Sequence, residues 1–158
     1  MNIYIYGGCL FDENPKDFDL ILECNNKNKD IFKSLKYELN SFGGAKISYN
    51  QKIFDVEIVE KLSSEIFIDR FVELDSDCVY YDMTNNIFIF LPPYWNYVNN
   101  GYASIINKKS IHPILGIKRR EQRIEKANNR KDYVLKINKH IKILKDFIEK
   151  LNFKNEES

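Results

Sequence analysis

The feature that most restricts the fold of this sequence is a pair of short strand patterns separated by two glycines. After Asn2, residues 3–6 alternate isoleucine with tyrosine, which is typical of a β-strand and predicts one over residues 2–6. Gly7-Gly8 follow at once. A second strand pattern then opens at Asp17-Phe18-Asp19. Because successive side chains of a strand point to opposite faces, Asp17 and Asp19 share one face while Phe18 lies on the other.

Two neighbouring carboxylates are unusual in a purely structural strand. Each must lose water on one side and each repels the other, so the pair is costly unless it has a function. A divalent cation would relieve that repulsion, and hard oxygen ligands suit Mg²⁺. Glycines at positions 7 and 8 would let a phosphate approach the backbone N–H groups closely. Taken alone, an acid-x-acid pair is more often exposed to solvent, but together with Gly7-Gly8 and with Asp55, further along the chain, it favours a metal site.

A second acidic strand pattern occupies residues 52–59. It follows residues 45–49 in a predicted hairpin that turns at Asn50-Gln51. By the same alternation, Asp55 and Glu57 share one face of this strand. The apolar faces of residues 2–6, 17–23 and 52–59 need a common core, so we expect these three segments to be neighbouring strands of one sheet.

At Gly7-Gly8 and Asp17-Phe18-Asp19 the sequence resembles the nucleotidyltransferase superfamily of the DNA polymerase β type. It is most similar to the head domain of tRNA nucleotidyltransferases and bacterial poly(A) polymerases, and to small stand-alone relatives, over about the first ninety residues. The resemblance implies a third carboxylate on a later strand. Asp55 is the choice for it and Glu57 the alternative, although Glu57 is expected to be a solvated neighbour.

The resemblance implies an enzyme that transfers a nucleoside monophosphate from a nucleoside triphosphate (NTP) to an acceptor. Asp17, Asp19 and Asp55 would be both catalytic and metal-binding, holding two Mg²⁺ or Mn²⁺ ions that activate an acceptor hydroxyl and stabilise the pyrophosphate leaving group. Gly7 and Gly8 would cradle the phosphates. The acceptor stays open: an RNA 3′ end, a protein or a small molecule.

One segment departs from the family pattern. Larger members carry an Arg-Asp pair after the glycines, and this chain has Cys9-Leu10-Phe11-Asp12 there. The departure favours an alternative function, in which the chain is a catalytically degenerate member that binds nucleotide or a partner protein as a regulatory or antitoxin subunit. Cys9 is interpreted as small apolar filler rather than a reactive thiol.

The C-terminal third has a helical pattern. Apolar residues recur there at spacings of three and four: Tyr133, Ile137, Ile141, Leu144, Ile148 and Leu151. Arg119, Arg123, Lys126 and Arg130 form one basic stripe if the preceding helix continues through Asn128-Asn129. The resemblance implies that a basic residue on such a helix contacts the triphosphate, so Lys126 and Arg130 are candidate nucleotide-binding residues. The alternative is a solvated face, or ion pairs with Glu121 and Glu125.

The overall prediction is an α/β (α+β) fold: a nucleotidyltransferase-like mixed β-sheet with flanking helices and a C-terminal helical segment. We expect one domain over residues 1–158, with a core at 1–93 and a mostly helical segment at 94–158. A helix is predicted from Lys29 to Leu39 and a short one from Glu65 to Phe71.

Composition excludes some classes of protein. Hydrophobic residues make up 44% of the 158 residues and aromatic residues 14%, which favours a packed globule over disorder. The longest apolar run, Ile87–Leu91, is too short to span a bilayer, so no membrane partner is expected. Three cysteines without metal-type spacing favour a reduced, cytoplasmic setting. His112 and His140 are isolated and receive no role.

Overall fold

The computed structural model describes residues 1–24, 29–32, 35–39, 44–107, 115–130 and 136–151. Within these ranges, one mixed sheet has the strand order β3-β4-β5-β2-β1-β6-β7. Its strands are β1 (Asn2–Tyr6), β2 (Asp17–Glu23), β3 (Tyr37–Leu39), β4 (Ala45–Tyr49), β5 (Lys52–Val59), β6 (Val79–Asp82) and β7 (Ile87–Phe90). The helices are α1 (Ser64–Phe71), α2 (Pro92–Asn100), α3 (Leu115–Asn128) and α4 (Ile137–Glu149). Short 3₁₀ turns occupy Gly8–Leu10, Lys29–Phe32 and Asp75–Asp77.

The arrangement of β1, β2 and β5 confirms that these three segments are neighbours in one sheet. β1 runs antiparallel to β2, whereas β5 runs parallel to β2. The mixed α/β fold class is therefore confirmed. The hairpin between β4 and β5 is also confirmed: Asn50 and Gln51 both have positive φ, at 50° and 65°, as a two-residue turn of type I′ requires.

The helix predicted from Lys29 to Leu39 is wrong. Lys29–Phe32 is a 3₁₀ turn, and Tyr37–Leu39 is strand β3 at the edge of the sheet. Pairing of Leu39 with Ala45 on β4 explains the difference, because hydrogen bonds to the next strand outweigh a weak local helical pattern. Leu39, which the helical pattern placed on the apolar face, is 74% exposed.

Helix α2 opens with two prolines. Pro92 and Pro93 occupy its first turn, shortly after strand β7. The first N–H groups of a helix have no intrahelical partner, so proline is tolerated there. Gly101 ends the helix in the left-handed conformation, with φ 75°.

The chain divides into two compact units, each assembled from separate stretches. Unit 1 comprises residues 1–61, 80–87 and 134–158, and unit 2 comprises 62–79 and 88–133. The expectation of one domain with a boundary after residue 93 stays a prediction.

The core of unit 1 contains a stack of aromatic rings. Phe18 of β2 stacks on Phe54 of β5 with ring centroids 5.2 Å apart, and Phe54 stacks on Phe147 of α4 at 3.9 Å. All three side chains are fully buried. Helix α4 therefore covers the face of β2 and β5 opposite to the aspartates, and the acids are left on the other face.

Unit 2 has its own aromatic core. Tyr94 and Tyr97 of α2 are buried, with ring centroids 5.8 Å apart. The Tyr97 hydroxyl donates a hydrogen bond of 2.7 Å to the Ala127 carbonyl at the end of α3. The Ala103 N–H donates to Asn128 Oδ1 at 2.7 Å, which ties the chain after α2 to the same helix end. None of the helices within the described ranges combines the length and apolar character needed to cross a bilayer.

Candidate active site

The register of β2 against β5 brings two predicted site residues side by side. Asp19 lies directly opposite Asp55. Asp17, two residues earlier on β2, lies opposite Ile53 and is on the same face of the strand as Asp19. All three aspartates thus occupy one face of two adjacent parallel strands. Asp17 is exposed, whereas Asp19 and Asp55 are half-buried.

Gly7 is shaped by its contact with Asp19. Its backbone has φ 80° and ψ −163°, a region that residues with a side chain rarely adopt. A Cβ atom at this position would lie 2.6 Å from Asp19 Oδ2, far too close for a van der Waals contact. Only glycine therefore fits here, and the end of β1 stays in direct contact with the Asp19 carboxylate.

The 3₁₀ turn after Gly7 forms one wall of a small cavity. The Leu10 N–H donates to the Gly7 carbonyl at 3.2 Å, and the Asp12 N–H donates to the Gly8 carbonyl at 3.0 Å. The cavity has a volume of about 250 Å³ and is lined by Gly8, Cys9, Asp12, Lys16, Asp17 and Asp19, among others. The structure therefore brings Gly8 together with Asp17 and Asp19, while Asp55 lies one strand further along.

The electrostatics of Asp55 are set first by its burial. Burial raises the pKa of the Asp55 carboxyl, and the neighbouring Asp17 raises it further. Lys46 of β4, which lies in register beside Asp55, opposes both effects and lowers that pKa. The net direction is upward, so the ionised form of Asp55 is disfavoured relative to an exposed aspartate.

Tyr6 is a residue of this face that sequence reasoning missed. It lies in register with Asp19 on the other side from Asp55. Burial raises its pKa well above the usual value, and Asp19, Glu57 and Asp55 add to that effect. Its hydroxyl is therefore protonated at neutral pH, a neutral donor among carboxylates. The strand alternation that places Tyr6 on a face is visible in the sequence, but the antiparallel register with β2 is not.

The expectation that Glu57 is a solvated neighbour is wrong. Only 6% of Glu57 is exposed, and its side chain lies against the backbone of Gly44, where an added Cβ would be 2.5 Å from Glu57 Oε2. Glu57 pairs in register with Ile21 rather than with an acid of β2. The register thus sets Asp55, and not Glu57, directly beside Asp19.

Cys9 behaves as apolar filler. It is 3% exposed, and its thiol donates to the Tyr6 carbonyl at 3.2 Å. Burial raises the pKa of this thiol to about 12, so the reactive thiolate is not formed near neutral pH.

The basic stripe of α3 is shorter than predicted. The helix ends at Asn128, so Arg130 lies beyond it and does not share a helical face with Lys126. Arg123 forms an ion pair of 2.6 Å with Asp77 rather than with Glu121 or Glu125. The nucleotide-binding roles of Lys126 and Arg130, both in unit 2, stay predictions.

The donor chemistry of the aspartate face suits a hard divalent cation. Three carboxylates on one face, two of them in register, are the oxygen ligands that Mg²⁺ and Mn²⁺ prefer. Over the described part of the chain, however, no three His, Cys, Asp or Glu side chains are gathered tightly enough to form a ready metal site. The metal-binding roles of Asp17, Asp19 and Asp55 stay predictions, supported by the face that the three residues share.

The fold is of the nucleotidyltransferase type. The chain is similar to a solved tRNA-processing enzyme with CTP, with a TM-score of 0.52 and 15% identity over 74% of this chain and 34% of that one. It is also similar to a tRNA nucleotidyltransferase complexed with a primer tRNA and an incoming ATP analog, with a TM-score of 0.51 and 16% identity over 74% of this chain and 37% of that one. At such identities the likeness shows the fold alone, and this chain spans little more than a third of either structure. No protein-family model and no curated protein matches the sequence.

Proposed function

We propose that this protein is a metal-dependent nucleotidyltransferase that transfers a nucleoside monophosphate from an NTP to an acceptor hydroxyl. The observation that carries the proposal is the placement of Asp19 beside Asp55 on parallel strands, with Asp17 on the same face. Gly8 and the two β2 aspartates line one cavity, which supports a phosphate site next to the acids.

Each residue of the site has a distinct task in this proposal. Asp17, Asp19 and Asp55 would hold Mg²⁺ or Mn²⁺, which when bound neutralises charge on the phosphate oxygens and lowers the pKa of a bound hydroxyl. Gly7 permits the close approach of Asp19 and directs the chain into the turn of Gly8. Tyr6, in register with Asp19, would add a neutral phenol to the same face.

Lys126 and Arg130 complete the proposal as triphosphate ligands. Two metal ions would offset only part of the charge of a triphosphate, and charge-assisted hydrogen bonds from basic residues would meet the rest. ATP is the nucleotide we propose to test first, and the solved relatives bound to CTP or to an ATP analog support a nucleotide substrate. The acceptor is RNA, a protein or a small molecule. All three cysteines are buried free thiols, which supports a reducing, cytoplasmic setting.

A second function is favoured by one observation. The carboxylates of the described residues are not gathered into a ready metal site. A degenerate nucleotidyltransferase fold that binds a nucleotide or a partner protein, without transfer, would need no such site.

A transfer assay separates these functions. The purified protein is incubated with each α-³²P-labelled NTP, Mg²⁺ and a cell extract, and the label is followed in RNA, protein and small-molecule fractions. We expect label in one fraction with wild type and none with Asp19→Asn. Glu60→Gln, which removes an exposed charge just after β5, is the matched control and should transfer normally. Label in no fraction, with nucleotide binding retained, would support the degenerate form.

A further inference from the structure

The start of helix α4 holds the loop that follows the two glycines. The Lys136 N–H donates a hydrogen bond of 2.7 Å to the Leu10 carbonyl. One turn later, His140 Nε2 lies 2.9 Å from the Asp12 carbonyl oxygen. Because a carbonyl can only accept, the Nε2 of His140 carries the proton and donates. Two hydrogen bonds thus connect α4 to residues 10 and 12.

His140 is firmly held within the core of unit 1. It is 3% exposed, and its ring packs edge-on against Phe18, with centroids 5.8 Å apart and planes at 72°. A buried ring N–H without an acceptor would be costly, so the contact with Asp12 is favoured over any solvated alternative. The ring therefore fixes the position of the Asp12 carbonyl relative to strand β2.

The held loop forms one wall of the cavity beside the aspartates. Gly8 and Asp12 line that cavity together with Asp17 and Asp19. Leu10 anchors the loop in the protein core, since its side chain is fully buried. Ion pairs from Lys136 and Lys139 to the exposed Glu13, at 3.6 and 3.4 Å, reinforce the same attachment weakly.

We propose that His140 is a positioning residue that holds residues 8–12 in the conformation in which Gly8 and Asp12 face the cavity. The proposal rests on the proposed function in one respect, namely that this cavity takes the phosphates of a nucleotide. His140 contacts the backbone carbonyl of Asp12, and it is through this backbone that it acts on the cavity.

Hydrogen exchange tests the positioning role without nucleotide. His140→Phe keeps an aromatic ring against Phe18 but removes the donor, whereas His140→Gln places an amide N–H near the position of Nε2. Losing a net hydrogen bond corresponds to about tenfold faster amide exchange, which we expect at residues 9–12 in His140→Phe and not in His140→Gln. Phe147→Leu, a core change on the same helix away from the loop, should not accelerate these amides selectively. If exchange in His140→Phe rises everywhere alike, or nowhere, the positioning role is overturned.

Nucleotide binding tests the consequence for the site. Isothermal titration with ATP and with adenosine, in the presence of Mg²⁺, should show ATP bound about fivefold more weakly by His140→Phe and about equally by His140→Gln, a loss that corresponds to about 1 kcal/mol. Adenosine affinity should not change, because the loop faces the phosphates. Faster loop exchange with unchanged ATP affinity would overturn the proposal. If wild type binds no ATP at all, the proposed function fails, and the exchange experiment alone decides the role of His140.

Discussion

In unit 2, Glu73 and Asp77 lie against arginines, whereas in unit 1 three aspartates share one face of two adjacent strands. Glu73 accepts a hydrogen bond from Arg120, and Asp77 pairs with Arg123 at 2.6 Å. On the sheet face of unit 1, Asp19 lies beside Asp55, with Asp17 on the same face. Lys46 is the basic side chain in register with Asp55 there.

The difference separates two uses of charge. A buried acid that forms an ion pair with an arginine connects two segments of the fold. Removing either partner leaves the charge of the other buried and unpaired, which destabilises the protein. On the sheet face of unit 1, burial first and then Asp17 raise the pKa of Asp55 while Lys46 lowers it, so the ionised form of Asp55 is disfavoured. In the proposed function a divalent cation would bind at this face, so Asp17, Asp19 and Asp55 are the functional candidates. Glu73 and Asp77 of unit 2, which pair with arginines, are the structural acids.

The largest effect should come from breaking a structural pair. Glu73 has a side chain only 4% exposed and faces Arg120, which is 20% exposed. Replacing a buried partner of such a pair costs about 3 kcal/mol, so Glu73→Gln should lose that much in its free energy of unfolding. Urea unfolding followed by fluorescence of Trp95, which lies in unit 2, measures it. The exposed Glu125, changed to Gln, should remain within about 0.5 kcal/mol of wild type. Equal stabilities of the two variants would mean that the Glu73 pair is not structural.

A second test compares two glycines with positive φ, one in each unit. Gly7 is crowded by Asp19, whereas a Cβ at Gly101 would meet nothing within 4 Å. Gly101→Ala should therefore cost about 1 kcal/mol for its left-handed backbone alone. Gly7→Ala should cost about 2 kcal/mol or more, because strain and the clash with the carboxylate add.

A double-mutant cycle isolates the clash. In an Asp19→Ala background the excess cost of Gly7→Ala should fall, since the carboxylate oxygen that it meets is gone. An unchanged cost in that background would show that Gly7 is required only for its backbone conformation.

Much of this arrangement could be predicted from local sequence. Alternation placed Asp17 with Asp19, and Asp55 with Glu57, on single faces, and the Asn50-Gln51 turn followed from local chemistry. Local patterns carry this information because strand periodicity and turn conformation depend on residues a few positions apart.

The missed features depend on contacts between distant segments. The parallel register of β2 and β5 chooses Asp55 over Glu57 as the neighbour of Asp19, and nothing local specifies that register. His140 gained its partner, the Asp12 carbonyl, from a loop 128 residues away in sequence.

The stabilisation by Mg²⁺ should depend on Asp19 and not on Glu57. Mg²⁺ at ten times its Kd adds about 1.4 kcal/mol to stability, a rise of about 4 °C in the melting temperature of a chain of this size. Asp19→Asn should abolish the rise, and Glu57→Gln should keep most of it, because Glu57 lies beside Ile21 rather than beside Asp19. Each variant is compared with itself with and without Mg²⁺ by differential scanning fluorimetry. The same rise in wild type and Asp19→Asn would exclude the proposed site.

The smallest expected effect is the change in stability that Asp55 causes in the absence of metal. Burial first, and Asp17 next, raise its pKa in the folded protein above the unfolded value, against the opposing effect of Lys46. The folded state therefore binds this proton more tightly than the unfolded state, and this contribution to stability is present at low pH and is lost as pH rises through the folded pKa. Asp55→Asn removes the dependence, so in EDTA at pH 7 the variant should be slightly more stable than wild type.

The pH series decides whether burial or Lys46 dominates at Asp55. The advantage of Asp55→Asn over wild type should shrink as pH falls below the folded pKa and vanish once the carboxyl is protonated in both states. Glu60→Gln removes the same charge from an exposed position of unit 1 and should show little of this pH-dependent difference. Urea unfolding at pH 7, 5.5 and 4 measures all three proteins. A variant less stable than wild type at pH 7 would show that the attraction of Lys46 outweighs the burial of Asp55, and the acids of unit 1 would then resemble those of unit 2.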